Sequence, residues 1–238
     1  MERDTLSLRL KTVADYVRQG DIVADIGTDH GYLAVYLLTA GISPKAVLGD
    51  VNEGPLKAAA ENIQAYQLAE QAEVLLGNGL DVLTERKADT VIIAGMGGPL
   101  ISSILESGKS QLKNVTRLIL QPNIAADHIR VWLMANGWKI IDETIFAEDG
   151  HIYEVIAAEP GDPYEVYSVE IPVMKQHWLG PVLMQTKNFA FRLKWERELE
   201  QLEQIQSQLN RAANREKAAE KSEEVTRKMT WLKEVLNE

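Results

Sequence analysis

Apolar residues recur along the first two thirds of the chain in two alternating textures. Short aliphatic runs at residues 22–26, 46–49, 72–76, 90–94 and 117–120, bounded by Gly, Pro, Asn or Asp, predict strands, the most continuous of them buried on both faces. Between them, helical spacing predicts helices over 32–39, 55–66, 99–107 and 125–136. Leu56, Ala59, Ala60 and Ile63 form one inward face, and Ile129, Trp132 and Leu133 another. Pro55 and Pro99 fall in first turns, where the missing N–H has no intrahelical partner to lose. An amino-terminal stripe of Leu6, Leu10, Val13 and Val17 predicts a helix over 5–18, ended by Gly20. Residues 138–146 and 152–158, joined by Glu148-Asp149-Gly150, read as an antiparallel hairpin.

Strands alternating with helices predict an α/β architecture over residues 1–162: a Rossmann-like sheet of seven strands, the last antiparallel. The breaker-rich Glu159-Pro160-Gly161-Asp162-Pro163 suits a boundary, and residues 163–238 form a smaller α-helical unit. Short helices or irregular chain are expected up to Pro181. Phe191, Trp195, Leu202, Ile205 and Leu209 then make one near-heptad seam, and Ala218, Ser222, Val225, Met229, Leu232 and Leu236 a second. Two such helices predict an antiparallel coiled-coil hairpin. Its charges are mixed in sign, as on any solvated helix pair. Arg192, Lys194, Arg197, Arg211, Arg215 and Lys217 are candidates for a stripe facing a polyanion.

Composition narrows the classes. With no cysteine there is neither disulfide nor thiolate chemistry. No apolar run reaches the roughly 18 residues that span a bilayer, and the start lacks a signal-peptide pattern, so a cytoplasmic protein with no membrane partner is expected. His30, His128, His151 and His177 lack metal-ligand spacing, and no metal is expected. The oligomeric state is left open, with a monomer the simplest expectation. A formal net charge of -10 counts against nucleic-acid binding, although a local basic face can coexist with it.

The chemistry concentrates at predicted strand ends. The first strand ends in Asp25 and opens Gly27-Thr28-Asp29-His30-Gly31-Tyr32-Leu33, a glycine turn with a carboxylate inside it. Asp29 would repel a pyrophosphate and suits a phosphate-free, positively charged nucleoside such as S-adenosylmethionine. The second strand delivers Asp50 and Val51, with Asp50 placed for ribose hydroxyls. The third ends in Asn78-Gly79-Leu80, where the Asn78 amide oxygen can accept from an adenine amino group; an ordinary Asn-Gly turn is the plainer reading. The fourth ends in Gly95-Met96-Gly97-Gly98, which lets a planar group approach the backbone, and the fifth in Gln121-Pro122-Asn123. Asp25, Gly27, Thr28, Gly31, Tyr32, Leu33, Asp50, Val51, Asn78, Gly79, Leu80, Gly95 and Met96 are the candidate cofactor residues. No Asn-Pro-Pro-Tyr or Asp-Pro-Pro-Tyr segment follows the fourth strand, so the usual apparatus for methylating exocyclic amines is missing.

These segments resemble a known family. Asp25-Ile-Gly-Thr-Asp-His-Gly-Tyr-Leu33, Ala94-Gly-Met-Gly-Gly98, Leu120-Gln-Pro-Asn123, the Leu6-Ser-x-Arg-Leu10 lead-in and the helical hairpin are similar to the TrmK-type bacterial tRNA (adenine-N1)-methyltransferases over essentially the whole chain. Where that family usually has proline after Tyr-Leu, this chain has Ala34. The resemblance implies a class I S-adenosylmethionine-dependent methyltransferase fold and transfer of a methyl group to N1 of adenine 22 in tRNA. Asp29 is then the candidate catalytic carboxylate, with cofactor placement its plainer role. Gly97, Gly98, Gln121 and Asn123 would frame an extruded base, and Arg9 and Lys11 would contact RNA phosphate. Deleting residues 164–238 is expected to weaken tRNA binding far more than cofactor binding. A small-molecule methyltransferase and a non-catalytic S-adenosylmethionine-binding interaction protein are the competing readings.

Overall fold

The computed structural model describes residues 6–210 and 215–237, with side chains placed from residue 219 onward in the second stretch. Chain order is α1 (Leu8–Asp15), β1 (Val23–Ile26), α2 (Tyr32–Thr39), β2 (Ala46–Asp50), α3 (Glu53–Ala65), β3 (Ala72–Leu76), β4 (Thr90–Gly97), α4 (Gly98–Ser107), β5 (Arg117–Ile124), α5 (Ala126–Ala135), β6 (Trp138–Glu148) and β7 (His151–Pro160). Helices α6 (Val173–Leu179), α7 (Leu183–Thr186), α8 (Phe189–Leu209) and α9 (Arg215–Asn237) follow. The sheet has seven strands in the order β3-β2-β1-β4-β5-β7-β6. The first five run parallel, and β7 is antiparallel to both β5 and β6. Because β1 lies between β2 and β4, the winding direction reverses there, and the helices leave a crevice at the carboxyl ends.

Alternation along the central strands divides the core. Val91, Ile93, Leu118 and Leu120 pack with Ile101 and Leu105 of α4 and Ile129 and Leu133 of α5. Ile92 and Ile119, one residue out of phase, face Val13 of α1, Leu33 and Leu37 of α2 and Ile63 of α3. In α3, Leu56, Ala59 and Ile63 are buried as expected, but Ala60 is exposed, 100° around the helix from Ala59 and off the stripe.

Three elements depart most from their predicted bounds. Helix α1 covers only Leu8–Asp15, because Tyr16 caps it and the chain turns through Val17 N–H to the Ala14 carbonyl. Strands β4 and β5 continue past the expected ends, through the glycines and as far as Ile124. A bulge makes this possible: pairing runs Ala94 to Gln121, skips Gly95, and resumes at Met96 with Pro122 and Gly97 with Ile124. Gly95 takes φ +78° there, which costs a side-chain-bearing residue more than glycine.

The carboxyl-terminal helices share a third cluster with Ile145 of β6: Leu179, Leu183, Phe191, Trp195 and Leu202 against Val225, Leu232 and Val235. Ile205, expected in the seam, is 37% exposed, and Val235 is buried in addition to the expected positions. Beneath this contact Arg130 is fully buried. It donates to Glu154 at 2.7 Å and to the His177 carbonyl at 3.0 Å, while Glu143 accepts the Val182 N–H at 2.9 Å.

Candidate active site

At the end of β1, Asp25 is buried and accepts the Thr28 hydroxyl at 2.7 Å. Burial pushes its carboxyl up to about 6; the Thr28 hydroxyl opposes this, Asp29 adds to it, Arg9 opposes it and Asp50 adds to it. Asp25, Asp29 and Asp50 lie at the carboxyl ends of β1 and β2 or in the turn between β1 and α2, at the crevice left where the winding reverses. The turn after Asp25 is held by Gly27 at φ +74°, whose N–H donates to the Gly49 carbonyl at 2.7 Å. A Cβ on Gly31 would stand 3.0 Å from a Leu48 methyl, so this glycine lets α2 start against β2. Asp29 is 81% exposed at its side chain and 3.4 Å from His30 Nε2, while the His30 ring stacks on Tyr32 at 5.5 Å.

At the end of β2, Asp50 Oδ1 accepts from the Asn52 backbone at 2.7 Å and its side chain at 3.0 Å. Its Oδ2 makes no hydrogen bond among the described residues, and Val51 beside it is 59% exposed. The exposed Asn78 carboxamide likewise has no hydrogen bond among the described residues.

The β4 bulge is fixed by two side chains of β5. Gln121, fully buried, accepts the Gly95 N–H at 3.0 Å and Arg9 Nη1 at 2.8 Å. Its amide nitrogen donates to the Pro122 carbonyl at 3.0 Å and Asn123 Oδ1 at 3.2 Å. Asn123 Nδ2 in turn donates to the Gly95 carbonyl at 2.8 Å. Side chains thus satisfy both backbone groups that the bulge removes from the ladder. The Met96 methyl lies over Gly27, 2.0 Å from where a Cβ would be, and it is the positive φ of the turn that favours glycine there.

The arrangement fits an S-adenosyl nucleoside. Acceptors at Asp50 and Asn78 stand ready for ribose hydroxyls and an adenine amino group, two glycines at positive φ leave backbone bare, and carboxylates outnumber the adjacent guanidinium. A family model described as tRNA (adenine(22)-N(1))-methyltransferase, TrmK, matches residues 23–234. The chain belongs to this family. It is 42% identical to the tRNA (adenine(22)-N(1))-methyltransferase of Bacillus subtilis strain 168, over 98% of this chain and 97% of the relative. The crystal structure of the B. subtilis m1A22 tRNA methyltransferase TrmK superposes with a TM-score of 0.94 at 41% identity, covering 98% of this chain and 99% of that one. A Streptococcus pneumoniae putative tRNA (m1A22) methyltransferase in complex with S-adenosyl-L-methionine gives 0.83 at 37% identity, covering 98% and 100%. The family is S-adenosylmethionine-dependent, and its fold is the Rossmann-like methyltransferase sheet found here with a helical extension.

Within that family frame, the residues singled out in the sequence divide into groups. Asp25, Gly27, Thr28, Asp29, Asp50, Gly95 and Met96 converge on the crevice, joined by Arg9, with Val51 and Asn78 at its β2 and β3 edge. Leu33 and Leu80 lend their side chains to the core, at 3% and 1% exposure. Gly31 and Gly79 serve packing: a Cβ on Gly79 would meet Ile104 at 2.9 Å. Gly98 is buried and also serves packing, because the Ala125 carbonyl is 1.8 Å from its Cβ position. Gln121 lies behind the bulge with its amide committed, so it shapes the site without facing a substrate. Lys11 is exposed two residues beyond Arg9, about 200° around α1, and so turns away from the crevice.

In the helical unit, Lys194 pairs with Glu154 and lies over the Trp195 ring, and Arg192 donates to the Leu236 carbonyl at 2.9 Å. Of the proposed basic stripe Arg197 remains exposed, while Arg211 and the side chains of Arg215 and Lys217 lie outside the described residues. Sequence reading missed Glu148 and Tyr153. Both belong to the β6–β7 hairpin and reach α1 only through the fold.

Proposed function

We propose that this protein transfers a methyl group from S-adenosylmethionine to N1 of adenine 22 in tRNA, giving 1-methyladenosine, and works in the cytoplasm. The observation that carries the reading is the convergence of Asp25, Asp29 and Asp50 on the crevice where the bulged Gly95 exposes its backbone, an acidic cradle for a cationic nucleoside. In this reading Asp50 holds the ribose, Asn78 the adenine amino group, and Val51 supplies an apolar surface for the ring. Asp25 and the Gly27 turn hold the amino-acid end. The cofactor supplies an electrophilic methyl group on a sulfonium.

Adenine N1 is neutral and already carries a lone pair, so the protein's task is alignment more than base catalysis. The bulge at Gly95 and the clamped Asn123 give the base a fixed rim. Asp29, exposed at the turn, accepts a hydrogen bond from the exocyclic amine and stabilises the positive charge the ring gains. Residues 163–238 form the arm that grips folded RNA, with Arg197 toward phosphate.

Purified protein incubated with unmodified tRNA and radiolabelled S-adenosylmethionine should yield labelled 1-methyladenosine on nuclease digestion, and none with tRNA carrying guanine at position 22. Label elsewhere, or only on small molecules, would overturn the assignment and favour the small-molecule reading that the net charge of -10 keeps in view.

A further inference from the structure

The first turn of α1 is bound by a carboxylate from the far end of the domain. Glu148, at the end of β6, accepts the Leu8 N–H at 2.5 Å on one oxygen and the Arg9 N–H at 2.9 Å on the other. The Ser7 hydroxyl takes the Leu10 N–H at 3.2 Å. Three amides that a helix leaves without internal partners are thereby satisfied, and the negative charge sits at the positive end of the helix dipole. The hairpin thus fixes both the position of α1 and its rotation.

That rotation carries the Arg9 side chain into the crevice. Its Nη1 is held by Gln121, its guanidinium carbon is 5.9 Å from the Tyr153 ring centroid, and Nη1 lies 3.6 Å from the Cβ position of Gly95. Nε and Nη2 make no hydrogen bond among the described residues. Asp25 near the end of β1, Asp29 in the turn that follows and Asp50 at the end of β2 lie at the same edge of the sheet, and the Arg9 charge is felt at the Asp25 carboxyl.

A ligand with a cationic sulfur, an ammonium and a carboxylate meets a conflict in such a site. The carboxylates attract its two cations and repel its anion. A guanidinium beside them resolves this, and its planar fork suits two-point binding of a carboxylate. We infer that Arg9 binds the carboxylate of the cofactor's amino-acid end, and that Glu148 is the positioning residue that holds it there by clamping α1. This rests on the methyltransferase reading of the crevice but not on the RNA substrate, and it moves Arg9 from the phosphate contact expected of it to the cofactor.

The test is calorimetry on the full chain with two ligands, S-adenosylhomocysteine, which has the amino-acid end, and 5′-methylthioadenosine, which lacks it. Arg9→Gln should weaken the first about 10- to 100-fold, the range for charge-assisted hydrogen bonds, and change the second less than about twofold. Glu148→Ala should produce the same ligand-selective loss at about 3- to 10-fold. Glu148→Gln, which keeps one oxygen acceptor, should recover part of it. Equal losses on both ligands would mean that the substitutions merely disturb the pocket and would overturn the assignment. Unchanged S-adenosylhomocysteine binding with a raised KM for tRNA would overturn it too, placing Arg9 on RNA phosphate. Selective loss in a protein that fails to methylate tRNA would leave this inference standing and defeat the tRNA reading alone.

Discussion

Arg130 and Glu143 form an ion pair of 2.6 Å, Nε to Oε1, with both side chains fully excluded from solvent. Burial alone would depress the guanidinium, but Glu143 and Glu154 outweigh it and raise Arg130 above its ordinary range. Burial likewise works against the Glu154 charge, yet Lys194 and Arg130 prevail and hold that carboxyl down to about 2. The cluster joins α5, β6 and β7 to α8 and, through the His177 carbonyl, to α6.

Removing Arg130 strands two buried carboxylates. Arg130→Ala is expected to destabilise the protein by about 3–5 kcal/mol, the cost typical of breaking a buried pair, read as a lowered urea midpoint. Because the folded Glu154 value lies below the ordinary 4.5, its contribution is complete above that pH and is lost as pH falls toward 2. A Glu154→Gln variant should show a shallower acid transition than the parent protein.

Deleting residues 164–238 would disturb more than RNA binding. It would uncover Ile145 and strip the cluster of Lys194 and the His177 carbonyl. The truncated chain should lose its cooperative thermal transition; a folded truncated protein with normal cofactor affinity would contradict this.

Asp25 gives the cofactor site a pH dependence. A cation bound beside it favours the charged carboxylate, so binding releases a proton and affinity should rise with pH up to about 6 and level off above it. Stability of the free protein runs the other way. A folded value above the ordinary 3.8 contributes fully below 3.8 and is lost as pH rises through about 6, a change of about 3 kcal/mol at most. Asp25→Asn should weaken S-adenosylhomocysteine binding, flatten its pH profile, and raise the melting temperature of the free protein near neutral pH.

Neighbouring glycines should respond differently to the same change. Gly98→Ala puts a methyl group 1.8 Å from the Ala125 carbonyl, a backbone atom that cannot step aside. A loss of at least about 1–3 kcal/mol, as for overpacking, is expected by denaturation. Gly97 has ordinary backbone angles and its Cβ would meet Ile124 at 3.6 Å and Pro99 at 3.8 Å, both ordinary contacts, so Gly97→Ala should keep the parent stability.

Asp29 is tested by Asp29→Asn, which keeps shape and removes charge. If it stabilises the methylated ring, kcat on tRNA should fall about 10- to 1000-fold, as for loss of an electrostatic contact, with S-adenosylhomocysteine affinity within a few-fold. A change in affinity alone would restrict it to cofactor placement.

The sequence by itself determined the strand and helix alternation, the sheet type and the acidic glycine turn. Each depends on side chains near one another in the chain: continuous aliphatic runs, helical spacing, and glycines whose positive φ is a local demand. It also gave Asp25, Asp50 and Asn78 their common edge, because parallel strands all end on the same side. What the tertiary structure decided were the partners separated by long stretches of chain. Gln121 reads as one more polar strand-end residue until the Gly95 bulge places it behind the site, and Gly98 reads as ligand-facing until the Ala125 carbonyl arrives against it. Arg9 looks like a surface cation until Glu148, 139 residues away, fixes the rotation of α1. Periodicity records which face of an element is buried, but not which distant atom completes a hydrogen bond there, and that second kind of information sets the chemistry of this crevice.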